Sequence, residues 1–179
     1  AMMRRVCPYL SKIMIPYNDQ NETLENHVQL LSSICHEQGI AVKLVPVTDH
    51  LQIQALVGGL LDESYDLLLV LRDYTIIPAI PLLARYCQQF KTVLFALDSD
   101  SVNQGAGASF APREYEIGQE VGVIAASILK GRQQAGNIPV KVLDLDKITK
   151  LQTSKSSLAR QLKREIVQNL MMEHVKAKA

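Results

Sequence analysis

No charge of one sign dominates this 179-residue chain: 19 Lys and Arg stand against 18 Asp and Glu, a formal +1. Without a basic field there is no electrostatic footprint for nucleic acid or for an anionic membrane surface. Long apolar runs are missing as well, and no segment is long enough to cross a bilayer as a helix. The start, Met2-Met3-Arg4-Arg5 into Val6-Cys7-Pro8, has no apolar stretch behind it and does not read as a signal peptide. Cysteine is scarce. Cys7, Cys35 and Cys87 are odd in number and widely spaced, with no C-x-x-C pair, which excludes a disulfide framework and gives no zinc or redox motif. Buried thiols are expected instead.

The usual catalytic signatures are also missing. No G-x-x-x-x-G-K-[ST] is present, which excludes a P-loop, and no G-x-S-x-G elbow. "GAGASF" (105–110) begins like a dinucleotide loop but ends in Phe110 where a third Gly is needed, and it follows a late strand. The histidines His27, His36, His50 and His174 are scattered. Cys35 and His36 are adjacent, so on a helix they point about 100° apart and do not share a metal easily. Asp98 and Asp100 have no His or Lys nearby as an acid–base partner. A receiver domain is disfavoured: the first strand ends with a single acidic residue, Asp19, and no Lys ends the fifth. Neither an enzyme nor a cofactor is expected, although a small flavodoxin-like enzyme stays as a remote reading.

What is present is ordinary globular composition, 47% hydrophobic and 21% charged, with a length suited to one buried core. "KIMIPYN" (12–18) reads as a first strand. In "NETLENHVQLLSSICHEQG" the residues Leu24, Val28, Leu31 and Cys35 recur with helical spacing, and Gly39 is a natural stop. "IAVKLVPV" (40–47) is a second strand. Thr48 is placed to cap a helix carrying Leu51, Ala55 and Leu56. "YDLLLVLRD" (65–73) and "KTVLFALDSD" (91–100) are continuously apolar strands, as expected when both faces are covered. "AIPLLARYCQQF" lies between them as a helix. "GASF" (107–110) predicts a short fifth strand, and residues 113–130 a helix whose Ile117, Val121, Ile124 and Ile128 face the sheet. "IPVKVLDLD" (138–146) is assigned as a sixth, edge strand.

Strand and helix alternate throughout, which predicts an α/β fold: a doubly wound, mainly parallel sheet flanked by helices. The α/β unit is expected over 8–146. The pattern then changes, and 147–179 is expected to be a C-terminal helical extension with Leu158, Leu162, Ile166 and Leu170 in one amphipathic i+4 row.

In an open parallel sheet, ligands bind beyond the carboxyl ends of the strands, where the strand order reverses. Those ends carry Tyr17, Asn18 and Asp19, then Arg72, Asp73 and Tyr74, then Asp98 to Ser101, then Phe110, Arg113 and Tyr115. Such a polar, acidic and partly aromatic rim can orient a small polar ligand while rings cover its apolar part. Taken singly, each Asp or Ser there suits a helix cap or loop better than a ligand contact, and only the set as a whole favours ligand binding.

The stretch "FAPREYEIGQEVGVIAASILKGRQQAGNIPV" resembles the signature of ABC-transporter substrate-binding proteins, the periplasmic-binding-protein-like family that includes aromatic-amino-acid binders. There a Tyr-x-x-Gly opens a helix ending in Ile-Leu-x-Gly, followed by Ile-Pro-Val; here these are Tyr115, Gly118, Ile128, Leu129, Gly131, Ile138, Pro139 and Val140. "TVLFALDSDSVNQGAGASF", "YDLLLVLRDYTI" and "SKIMIPYNDQNE" are similar to other parts of the same pattern. The resemblance covers about residues 8–145 and only one of two lobes. It implies one lobe of a type I clamshell that closes on a small amine- or amino-acid-like ligand, works with an ABC permease, and resides in the periplasm or otherwise outside the cytoplasm at a membrane. The ligand-binding positions it implies are Asn18, Asp73 and Asp98, with Asp73 and Asp98 meeting an ammonium group. Tyr74, Ser99 and Tyr115 join them at the rim. Two places depart from the family: Tyr74 stands where Asn is frequent, and Arg113 and Glu114 replace smaller or neutral types. The implied partner is a missing first lobe or a second copy held through the C-terminal helix, with no nucleic acid. A ligand-sensing regulatory or dimerisation module of a signalling protein is the alternative.

Overall fold

The computed structural model describes residues 2–49, 51–53, 56, 64–112, 114–141 and 149–153. After a short helix α1 (Met2–Val6), strand β1 (Lys12–Tyr17) leads through a turn into helix α2 (Glu22–Glu37). Asn21 begins α2 by accepting the backbone N–H groups of Thr23 and Leu24, satisfying two donors that the first turn leaves unpaired. Gly39, at φ +70°, lets the chain leave the helix and enter β2 (Ala41–Pro46). Strands β3 (Leu67–Val70), β4 (Val93–Ala96) and β5 (Ala108–Pro112) follow, with helix α3 (Ile80–Gln89) between β3 and β4. Helix α4 (Glu114–Leu129) leaves β5, and β6 (Thr149–Thr153) returns to it.

The sheet order is β2-β1-β3-β4-β5-β6; the first five strands are parallel, and β6 runs antiparallel to β5 with Ala108 opposite Thr153 and Pro112 opposite Thr149. The expected α/β class therefore stands. The short apolar runs are explained by their two covers. Leu67, Leu69 and Phe95 pack with Val28 and Cys35 on the α2 side. Leu68, Val70 and Leu94 pack with Ile80, Leu83 and Cys87 on the α3 side. Residues alternating along a strand thus all meet apolar partners, and no polar face is left. At the lower edge Asp66 stitches β1 to β3, its Oδ2 accepting the Ser11 and Lys12 backbone N–H groups and the Ser11 hydroxyl at 2.8–2.9 Å.

Three assignments are corrected. The sixth strand is Thr149–Thr153, past the expected boundary at 146, and residues 138–141 of the proposed 138–146 strand are not extended into a ladder. A strand covering a sheet edge needs only backbone pairing, so "TKLQT" carries no apolar pattern to announce it. The helical residues 51–53 are capped by Asp49, whose Oδ1 accepts from the Leu51 and Gln52 N–H groups, while Thr48 pairs with the Gln52 side chain. Finally, no residue of α4 is buried: Val121 is 58% and Val123 65% exposed, and Ile117, Ile124 and Ile128 are only half-buried. Apolar residues are spread around this helix, and the sheet does not cover the face assigned to it. The row Leu158, Leu162, Ile166 and Leu170 lies outside the described residues, as does Arg113. Among the described residues, no helix is long and apolar enough to cross a membrane.

Candidate functional site

Strand order reverses about β1, which has β2 on one side and β3 on the other. The loops leaving β1 and β3 therefore diverge and open a crevice at their carboxyl ends. A cavity of about 720 Å³ lies there. Its floor is the β3–α3 loop, Leu71 to Thr75; one wall is α2 and its cap from Asn21 to Leu31, and Asn18 and Leu97 complete it.

The loops are held rigidly. Asp73, 2% exposed, accepts the Asn18 backbone N–H on Oδ2 and the Thr75 backbone N–H on Oδ1, each at 2.8 Å. The Asn18 amide donates to the Thr75 hydroxyl at 2.9 Å, and its Oδ1 accepts the Gln20 N–H. Asp73 thus ties the two diverging loops together through a carboxylate that is itself almost sealed from water. Asp98 plays a comparable local part after β4: Oδ2 accepts both the backbone N–H and the hydroxyl of Ser101. Ser99 stands at the head of that short 3-10 turn and makes no capping bond with its side chain.

Of the residues singled out in sequence, the structure brings Asn18, Asp73 and Tyr74 together at the cavity. Asp98 and Ser99 lie beyond Leu97 on the next loop, and Tyr115 lies on the first turn of α4; none of the three lines the cavity. Tyr74 is 82% and Tyr115 74% exposed, so both rings stand open at the rim. Arg72 joins the two sides of this rim. Its Nη2 donates to Glu114 Oε1 at 2.6 Å, linking the loop after β3 to α4. Glu114, by hydrogen bond and by charge, raises the already high Arg72 pKa further.

The α2 wall was not anticipated. Leu24, His27, Leu30 and Leu31 line the cavity, although in sequence Leu24 and Leu31 mark the apolar face of the helix and His27 is only one of four scattered histidines. Leu24 and Leu31 do both: they are half-buried against the core and still present an edge to the cavity. Leu30, at 61% exposure on the neighbouring face, widens the apolar stripe beyond what the core needs. That extra width was the available signal. Deeper in, burial first, then Glu25 through a hydrogen bond and its charge, and Asp19 push the Tyr17 hydroxyl up to about 12.

Comparison with known proteins bears on the chain as a whole. A family profile described as "ABC transporter substrate binding protein" matches residues 1–171. A "Tyrosine-binding protein" of Clostridioides difficile (strain R20291) is 23% identical over 143 residues, which is 80% of this chain and 41% of that protein. Among solved structures, a conserved domain protein of Vibrio cholerae superposes with TM-score 0.72 at 24% identity, over 90% of this chain and 53% of its own. A ligand-free, open substrate binding protein with adhesive properties from Clostridium difficile gives 0.72 at 19%, over 92% and 52%. An ABC domain from Streptococcus pneumoniae in complex with L-Trp gives 0.71 at 20%, over 90% and 53%. At these identities the structural likeness shows the fold. The chain spans about half the length of these relatives, or less.

Proposed function

The chain belongs to the ABC transporter substrate binding protein family, and from that premise we propose that it is the ligand-holding lobe of a solute-binding component, taking a small amine- or amino-acid-like molecule in the crevice after β1 and β3. The observation that carries this reading is the cavity of about 720 Å³ at the point where strand order reverses. Its walls combine leucines with polar groups on short, well-tied loops, the combination that orients a small ligand and covers its apolar body. Asn18 and Tyr74 would face the ligand directly, with Asp73 beneath them tying their loops together. Asp98, Ser99 and Tyr115 sit where a second lobe closing over the crevice would bring them close to it.

Closure would follow the hinge pattern of two-lobed binding proteins, the other lobe supplying the remaining contacts. The relatives described as binding tyrosine and L-Trp support an amino acid within this class. The family is normally non-enzymatic. The natural partner is an ABC permease, and the natural location is periplasmic or otherwise extracytoplasmic, at the membrane. Titration calorimetry of the complete native protein with a panel of amino acids, amines and nucleotides tests the proposal. Saturable binding of an amino acid or amine, lost on filling the crevice with Asn18→Trp, is the expected result. Binding confined to nucleotides would overturn it.

A further inference from the structure

Among the described residues that line the crevice, two carry a fixed charge, Arg72 and Asp73, and only Arg72 is open to a ligand. Asp73 is 2% exposed, and each of its oxygens already accepts a backbone N–H. The Arg72 side chain is 55% exposed and, among the described residues, is held by one contact, Nη2 to Glu114 Oε1, from a carboxylate that is itself 66% exposed. A guanidinium has five N–H donors in a rigid fork, so this single contact leaves most of its hydrogen-bonding capacity unused. The exposed pair is only weakly favoured over its separated, hydrated partners.

We infer that Arg72 is the residue that recognises the ligand, by taking a carboxylate group, with Glu114 as its resting counter-ion. A carboxylate in the crevice presents two oxygens to the fork and replaces one long, flexible Glu side chain with a group fixed by the rest of the ligand. Leu24, Leu30, Leu31 and Leu97 then receive the ligand's apolar body, with Tyr74 beside it. The inference rests on the solute-binding reading and narrows it. An amine lacking a carboxylate meets the guanidinium as a like charge, whereas an amino acid or an organic acid meets it as a partner. Glu114 opens α4, so a ligand that takes Arg72 also releases the first turn of that helix from the β3 loop.

The test is calorimetry on the complete native protein with three probes of one shape: L-tyrosine, tyramine, and 3-(4-hydroxyphenyl)propionate. L-tyrosine and the propionate are expected to bind more tightly than tyramine. In Arg72→Ala the preference for L-tyrosine over tyramine should shrink by roughly 10–100-fold, the range for losing a charged hydrogen bond. Arg72→Lys, which keeps charge without the fork, should fall between. Glu114→Gln removes the competing carboxylate and should tighten both acids by a few-fold. Because the readout is a ratio measured on one preparation, a variant that folds incompletely does not imitate the result. Tyramine binding as well as L-tyrosine, or a ratio untouched by Arg72→Ala, would overturn the role of Arg72 and leave the solute-binding reading standing. Binding of none of the three would overturn the Arg72 inference for ligands of this shape, while the panel of amino acids, amines and nucleotides decides the solute-binding reading separately.

Discussion

Asp66 shows how one side chain sets a boundary condition for the sheet. Partial burial by itself would raise its pKa, but the Ser11 and Lys12 N–H groups and the Ser11 hydroxyl outweigh that and hold it below the ordinary 3.8. A carboxylate with a lowered folded pKa stabilises above its unfolded value, and that contribution is lost as pH falls through the folded value. Asp66→Asn is therefore expected to cost about 1–2 kcal/mol at neutral pH, discounted for its partial exposure, and much less near pH 2. Urea melts at both pH values check it. Ser109 is the opposite case. It is fully buried in β5, and its hydroxyl has no hydrogen-bond partner among the described residues. Ser109→Ala should raise stability by about 1 kcal/mol, read as a higher melting temperature, because a polar group buried without a partner carries its desolvation cost uncompensated.

Among the elements, the loop after β4 is tightly constrained. Asp98 holds Ser101, and Gly105, at φ +114°, turns the chain into β5 with the position of a would-be Cβ only 3.0 Å from Ala84 Cβ. Gly105→Ala combines a disfavoured backbone region with a clash on α3, and a loss of about 1–3 kcal/mol in urea unfolding is expected. Such a loop was readable as a loop from Asp, Ser and Gly, and its strands from their apolar runs. LLLV and VLFA are legible because both faces are covered, which leaves no ambiguity of period. β6 was not legible, since pairing alone defines it. The site divided in the same way. Loop residues at strand ends follow from topology, and they include Asn18, Asp73 and Tyr74. The α2 wall depends on which edge of a leucine faces out, and spacing alone does not say that. Arg72 and Glu114 stand 42 positions apart, so no local pattern announces their contact.

At the scale of the whole molecule, the core is concentrated on β1, β3 and β4, and α4 stands apart from it. Two substitutions should expose this division in one experiment. Phe95→Ala, at a side chain 1% exposed, is expected to cost about 3–5 kcal/mol. Val121→Ser, on the uncovered face of α4, should stay within about 0.5 kcal/mol in this chain. Equal losses in urea unfolding would show that α4 is covered after all. The single antiparallel strand has a further consequence, for the behaviour of the protein at high concentration. A bare strand edge is a template on which another chain can pair and nucleate fibrils, and β6 occupies that position along β5. At the opposite side β2 ends in Pro46, which offers no N–H, and points Lys43 outward. The chain's own return thus covers the edge of the buried strand β5 and leaves the polar sequence TKLQT as the outermost strand on that side, while the opposite border is guarded by a missing donor and an exposed lysine.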